Sequence, residues 1–509
     1  MTGGRIVAIV DEKDEERWRR EAADVVDLSG AHVYPGFTEG HGHFMSLGAA
    51  LEQVDLGGTA SFAEVVERVR AAARELPPGE WVAGRGWDQN DWPTKAFPHH
   101  RELSAAVPDR PVVLRRVDGH ALLVNAAALA VAGIGSRTAE PSGGRIQRDA
   151  SGEPTGILID AACDLIERLI PPPSDAVRER RARLAGQRLA SLGFTEIHDA
   201  GTTRSDLAVV RQLAGQHRLP IRVYVMLDGG DDALLDAEFA AGPSLWPDGM
   251  LAVRAVKLYA DGALGSRGAW LSEPYADEPA SRGLEVTTEA RLGDVIRRAT
   301  AARFQPCIHA IGDAAVSRAL DLYDRDVGEA ATLVRPRIEH AQVVRPADVA
   351  RFARIGVIAA VQPTHCTSDM PWAPERLGEA RIAWAYRWRS LLAAGTRLDL
   401  GSDVPVEDAD PRLGVWAAVT RRQLGGTPVG GWNMAEALSS AEAVDGYTAW
   451  NAYAAFEEDW RGAIRPTYAA DFTVFDRDLS AGKPEEFLKA RVLRTIVAGH
   501  DAFVAEGGP

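Results

Sequence analysis

Histidines two apart on a β-strand share one face and can meet a single metal ion. The stretch Pro35-Gly36-Phe37-Thr38-Glu39-Gly40-His41-Gly42-His43-Phe44 offers that spacing in His41 and His43, with glycines that leave the backbone bare. A His-x-His pair alone says little, because such pairs also arise by chance on surfaces. Four further polar groups give it weight. Lys257 lies in Val-Arg-Ala-Val-Lys-Leu-Tyr-Ala-Asp-Gly, His309 ends Phe-Gln-Pro-Cys-Ile-His, His340 ends Arg-Pro-Arg-Ile-Glu-His, and Asp403 follows Arg-Leu-Asp-Leu-Gly-Ser. Each stands on or at the end of a short apolar run, and groups at the C-terminal ends of barrel strands converge on one mouth. Neutral imidazole and carboxylate are the usual partners of zinc at catalytic sites, which keep a position for water. A lysine among them is out of place, since a cation repels an ammonium; the residues themselves offer a salt bridge to Asp261, four residues on and on the same strand face.

Eight apolar runs are candidate barrel strands: 36–43, 193–199, 221–227, 253–261, 304–309, 336–340, 356–362 and 397–403. Helical patterns separate most of them, and eight is the number that a (β/α)8 TIM-like barrel requires. The count works if roughly residues 50–190 are an insertion after the first strand. Inside it, Ser61 stands three residues before Glu64 as in a capping box, and Pro77-Pro78 stops the helix that follows. Short strand-like runs also mark both ends of the chain, at 5–10, 25–28, 31–34, 471–476 and 492–499.

The order His-His, Lys, His, His, Asp resembles the amidohydrolase superfamily. "VKLYADGALGSRGAW", "HAIGDAAV", "RIEHAQ" and "GSDVPV" narrow it to the YtcJ-like branch, amidohydrolase family 3, which includes N-substituted formamide deformylases. The resemblance runs from about Gly4 to Val504. It implies a small β-sandwich built from both termini, 1–34 plus 442–509, beside a metal-binding barrel over 35–441 whose insertion covers the active-site mouth. It further implies strands ahead of Gly4, and without them a sheet edge is left to be covered, which favours a homodimer. The implied metal ligands are His41, His43, Lys257, His309, His340 and Asp403 for one or two divalent ions, most simply zinc, with Lys257 carboxylated to an anionic carbamate. Glu39 stands where the superfamily more often has aspartate.

The implied activity is hydrolysis of an amide-type C–N bond in a small, partly apolar substrate by metal-activated hydroxide. Asp403 is the candidate proton shuttle, and His340 or His120 the candidate oxyanion partner. Trp87, Asp88 and His120, in the tryptophan-rich insertion, are expected to face the substrate, as is His365 after strand seven. A blander reading makes the tryptophans anchors of the inserted layer. Two alternatives stay open: the same site could cleave an ester, lactone or carbamate, or the barrel could be an inactive binding protein.

Composition bounds the partners. Against 57 lysines and arginines stand 72 acids, a net charge of −15 that argues against nucleic acid. Three scattered cysteines suggest a reducing compartment, not a disulfide framework. Neither a signal-peptide pattern nor the ~18 consecutive apolar residues of a membrane span is seen, so the cytoplasm is the default expectation.

Overall fold

The structure, a computed structural model, describes all 509 residues except 29, 78, 118–120, 142–143 and 508–509. Eight parallel strands run in order around a barrel: β1 (Phe37–Gly42), β2 (Phe194–Thr202), β3 (Arg222–Asp228), β4 (Leu251–Tyr259), β5 (Gln305–Ala310), β6 (Arg337–His340), β7 (Ile358–Val361) and β8 (Leu398–Leu400). All eight overlap the runs marked in the sequence. Their neighbours pair in parallel from β1 through β8, with register shifts in the β1–β2, β2–β3 and β3–β4 pairs, and helices such as Arg204–Gly215, Glu289–Ala301 and Asp313–Asp326 lie between them. The strands read as near-continuous apolar runs because both faces are covered.

The seam between β8 and β1 is closed differently. A parallel bridge joins Gly42 to Val404, His43 N donates to Val404 O at 2.8 Å, and Asp403 N donates to His41 O at 2.7 Å. Below these bonds Asn451 spans the seam: its amide donates to Thr38 O and Leu400 O, both at 2.8 Å, and its oxygen accepts from Leu400 N at 3.0 Å. Glu39 adds a third stitch, accepting from Ser402 N at 2.7 Å and Ser402 Oγ at 2.9 Å. Asn451 sits on the helix Ala449–Ala454, so residues from 442 to about 470 serve the barrel and the terminal sheet starts later than expected.

That terminal sheet has four antiparallel strands, in the order His32–Pro35, Phe472–Phe475, Val492–Val497, His500–Val504. It is one sheet where a sandwich was expected. Residues 5–10 and 25–28 form no strand; Arg5 makes only isolated bridges, and Glu15–Glu21 is a short helix. Charged residues dominate that helix and none of its residues is buried, so this stretch has too little apolar surface facing inward to hold a second layer.

The chain divides into two compact units, 1–47 with 178–509, and 48–177. The second unit has its own six-stranded sheet and two apolar clusters. It ends at Val177 and not near 190, because the helix Asp175–Ser191 packs Ala182, Ala185, Leu189 and Ala190 into the barrel core. The helix Phe62–Glu75 starts where the capping pattern placed it, with Ser61 Oγ accepting from Glu64 N at 3.2 Å. Cys163, Cys307 and Cys366 are buried free thiols, and no helix among the described residues is long and apolar enough to cross a membrane.

Candidate functional site

At the C-terminal ends of the barrel strands, the four expected histidines gather with the other two expected donors, Asp403 and Lys257. His41 Nε2 lies 3.0 Å from Lys257 Nζ and 3.6 Å from Asp403 Oδ1, and His43 Nε2 lies 3.0 Å from the same oxygen. The ring of His340 is 4.9 Å from that of His41 and 4.4 Å from that of His309. His340 and Asp403 both adopt positive φ, 73° and 64°, a conformation that side-chain-bearing residues rarely take and that clusters at functional sites. In both, the strand has just ended and the left-handed turn redirects the chain.

Second contacts fix which ring nitrogen of His41 and of His340 is offered. His41 Nδ1 is bonded to the Glu339 carboxylate, leaving Nε2 toward Lys257 and Asp403. Glu339 in turn accepts from Arg337 Nε at 2.8 Å, and Arg337 also donates to Gly40 O at 2.9 Å and pairs with Asp399 at 3.2 Å. His340 Nδ1 is bonded to Gln362 Oε1 at 2.8 Å, which frees its Nε2. Such outer partners orient metal-binding imidazoles. Among the described residues, the buried atoms His309 Nε2 and His365 Nε2 have no hydrogen-bond partner. Unpaired buried polar atoms are costly, and a cation held among these side chains would relieve that cost.

The electrostatics agree with that donor set. Burial first, then the charge of Lys257, holds His41 down to about 4 and His309 down to about 3, so both imidazoles are neutral and able to ligate. His340 is pushed well below its usual value, chiefly by burial. Burial also lowers the ammonium of Lys257. Asp403 moves the other way: burial alone would raise it, but the hydrogen bond from His43 and the neighbouring imidazoles outweigh that and keep it ionised. Four imidazoles and a carboxylate with free lone pairs are what a divalent transition metal takes, and a charged ammonium is what it does not. The residues therefore fit a divalent cation, with Lys257 the one group that needs a change of form.

The salt bridge open to Lys257 in the sequence is not formed. Asp261 spends its carboxylate on the backbone N–H groups of Trp270 and Gly312, both at 2.8 Å, and Ile311, at 3.0 Å. His365 proves to be part of the cluster: its ring stacks on His340 at 5.9 Å, and its Nε2 is 3.8 Å from Asp403 Oδ2. His340, His365 and Asp403 form one three-donor group, and His41, His43 and Asp403 another.

The insertion residues behave otherwise. Trp87 is fully buried within its own unit, its indole donating to Leu114 O at 3.0 Å and packing on Trp92 and Phe97. It has no surface to offer a substrate, which corrects that expectation in favour of the anchoring role. Asp88 accepts from Arg116 at 2.6 Å and from Asn90 N at 2.9 Å, so its carboxylate is spent on its own turn. His120 lies outside the described residues. Sequence reasoning passed over Arg337 and Glu339, although two charges at alternate positions of an apolar strand are a sign of residues turned into a barrel's interior. Gln362 carried no such sign.

Comparison with known proteins covers the whole chain. Residues 24–501 match the model of the amidohydrolase family. The chain is 33% identical to YtcJ of Bacillus subtilis (strain 168), over 96% of this chain and 92% of that protein. It is 28% identical to an N-substituted formamide deformylase of Arthrobacter pascens, over 98% and 93%. Among solved structures, an uncharacterized metal-dependent hydrolase from Pyrococcus furiosus superposes with a TM-score of 0.78 at 31% identity, over 94% of each chain.

Proposed function

This chain belongs to the amidohydrolase family and is a hydrolase, and from that premise we propose that it is a metal-dependent enzyme cleaving a C–N bond in a small, partly apolar amide. The observation that carries the reading is the cluster itself: the imidazoles of His41, His43, His309, His340 and His365, those of His41 and His309 held neutral, gathered with Lys257 and an ionised, buried Asp403. The formamide deformylase relative supports the choice of bond, and the Pyrococcus structure supports the dependence on metal.

In this reading His41, His43, His309, His340 and Asp403 hold one or two divalent ions, most simply zinc, with Lys257 joining them as a carbamate. Bound there, the cation would polarise the scissile carbonyl and lower the pKa of water from 15.7 towards ~7. The rest falls to the protein. Burial lowers the ammonium of Lys257, which favours the deprotonation that carbamate formation with carbon dioxide requires. Asp403 accepts the proton of the attacking water and passes it to the departing nitrogen, without which the tetrahedral adduct reverts. His340, oriented by Gln362 through Nδ1, keeps Nε2 for the cation.

The test is a panel of aryl formamides, aryl amides and aryl esters assayed before and after chelation. Chelator-treated protein is expected to lose turnover and to regain it with added zinc, and Asp403→Asn to lose ~10²–10⁴-fold in kcat. Undiminished turnover in either case defeats the proposal, and an ester preference across the panel would move the substrate class.

A further inference from the structure

Tyr259 ends β4 and is that strand's most exposed side chain, 37% open where its neighbours are covered. It follows Lys257 by two residues, so the two project from the same side of the strand. Its ring lies 5.3 Å from Lys257 Nζ and 5.6 Å from the His309 ring. Its hydroxyl reaches Gly201 at the end of β2, where a Cβ would stand only 3.2 Å away. Gly201 has φ +91°, a backbone setting that itself selects glycine, so the room beside the hydroxyl is built in.

Three buried tyrosines of the barrel have committed their hydroxyls. Tyr224 donates to Gln305 at 2.9 Å, Tyr275 to Ala269 O at 2.7 Å and Tyr323 to Arg337 O at 2.7 Å. Tyr259 makes no such bond to any described residue. A phenol with a hydrogen to give, standing over the donor cluster and open to solvent, is placed to meet a ligand and not to hold the fold.

We propose that Tyr259 is a catalytic residue that touches the substrate. Its hydroxyl donates a hydrogen bond to the carbonyl oxygen under attack, while its ring packs on the apolar group next to that carbonyl. No bond is broken at Tyr259; the phenol keeps its proton. The inference rests on the hydrolase reading of this site. Because charge on the oxygen grows between the bound substrate and the transition state, the contribution falls in kcat more than in KM. Loss of one such donor costs ~10²–10³-fold in kcat.

Tyr259→Phe keeps the ring and removes only the donor. The variant is expected to hold as much cation as the wild type, by metal analysis, and to lose ~10²-fold in kcat with KM little changed. Calorimetry with phenylphosphonate, a tetrahedral anion carrying an apolar ring, is expected to give ~10-fold or more weaker binding in the variant. Equal kcat or equal phosphonate affinity in the two proteins overturns the role of Tyr259 while leaving the hydrolase reading in place. A wild-type protein that turns over no member of the panel and does not bind phenylphosphonate overturns both.

Discussion

Behind His41 a run of buried charges continues through the barrel: Glu339, Arg337, Asp399, then His198, which lies 3.4 Å from Asp399 Oδ2 and 3.8 Å from Glu196 Oε2. Burial by itself would keep His198 neutral, but these two carboxylates overcome it and raise the imidazole to about 9. The sign for stability follows. Between the unfolded value of 6.5 and the folded value of about 9 the folded state holds the proton and the unfolded chain does not, so this contribution is full below pH 6.5 and is lost as pH rises through 9. Urea unfolding of cation-free protein at pH 6.5 and 8.5 is expected to cost the wild type about 2 kcal/mol more than His198→Gln over that interval. Equal losses would mean that His198 is neutral in the fold.

At the level of elements, β1 and β8 decide whether the donors meet, since they carry His41, His43 and Asp403 on the two sides of the seam. Gly40 is the tightest point of that seam: a Cβ there would lie 2.3 Å from Asp399 Oδ1 and 2.6 Å from Leu400 O. The glycines that looked like mere bareness round the histidines are thus what lets the two strands close. Gly40→Ala is expected to destabilise by about 1–3 kcal/mol and to weaken cation binding, because relief of the clash moves the strand that presents His41. Gly215, at the end of a helix with nothing within 4 Å of a Cβ, is the control, and alanine there should be neutral or mildly stabilising. Calorimetric titration with zinc alongside urea unfolding distinguishes the two positions.

Over the whole molecule, every donor of the candidate centre belongs to the unit formed by 1–47 and 178–509, while the tryptophan-rich stretch belongs to 48–177 with a core of its own. Trp87 anchors that core. Trp87→Ala is therefore expected to cost about 3–5 kcal/mol in the inserted unit, followed by urea and circular dichroism, with the cation content of the purified protein unchanged. Loss of cation together with fold would instead tie the centre to the insertion.

The chain by itself determined the barrel and pointed to the groups that gather at its mouth, because apolar runs of strand length, a period of two that puts His41 and His43 on one side, and polar groups at strand ends are signals that follow short-range rules; their reading as ligands came from the resemblance to the family. Those rules apply within a few residues and are legible wherever they occur. They could not say that Glu339 grips His41, that His365 joins Asp403, that Asn451 stitches the seam, or that Trp87 is sealed in a core. They also overcounted the N-terminal strands, where Ile6 packs on the terminal sheet but Val7, Ile9, Val10, Val25 and Val26 stay exposed. Each of those facts depends on which side chains face one another across tens to hundreds of positions, and only closure of the barrel and packing of its layers settle that.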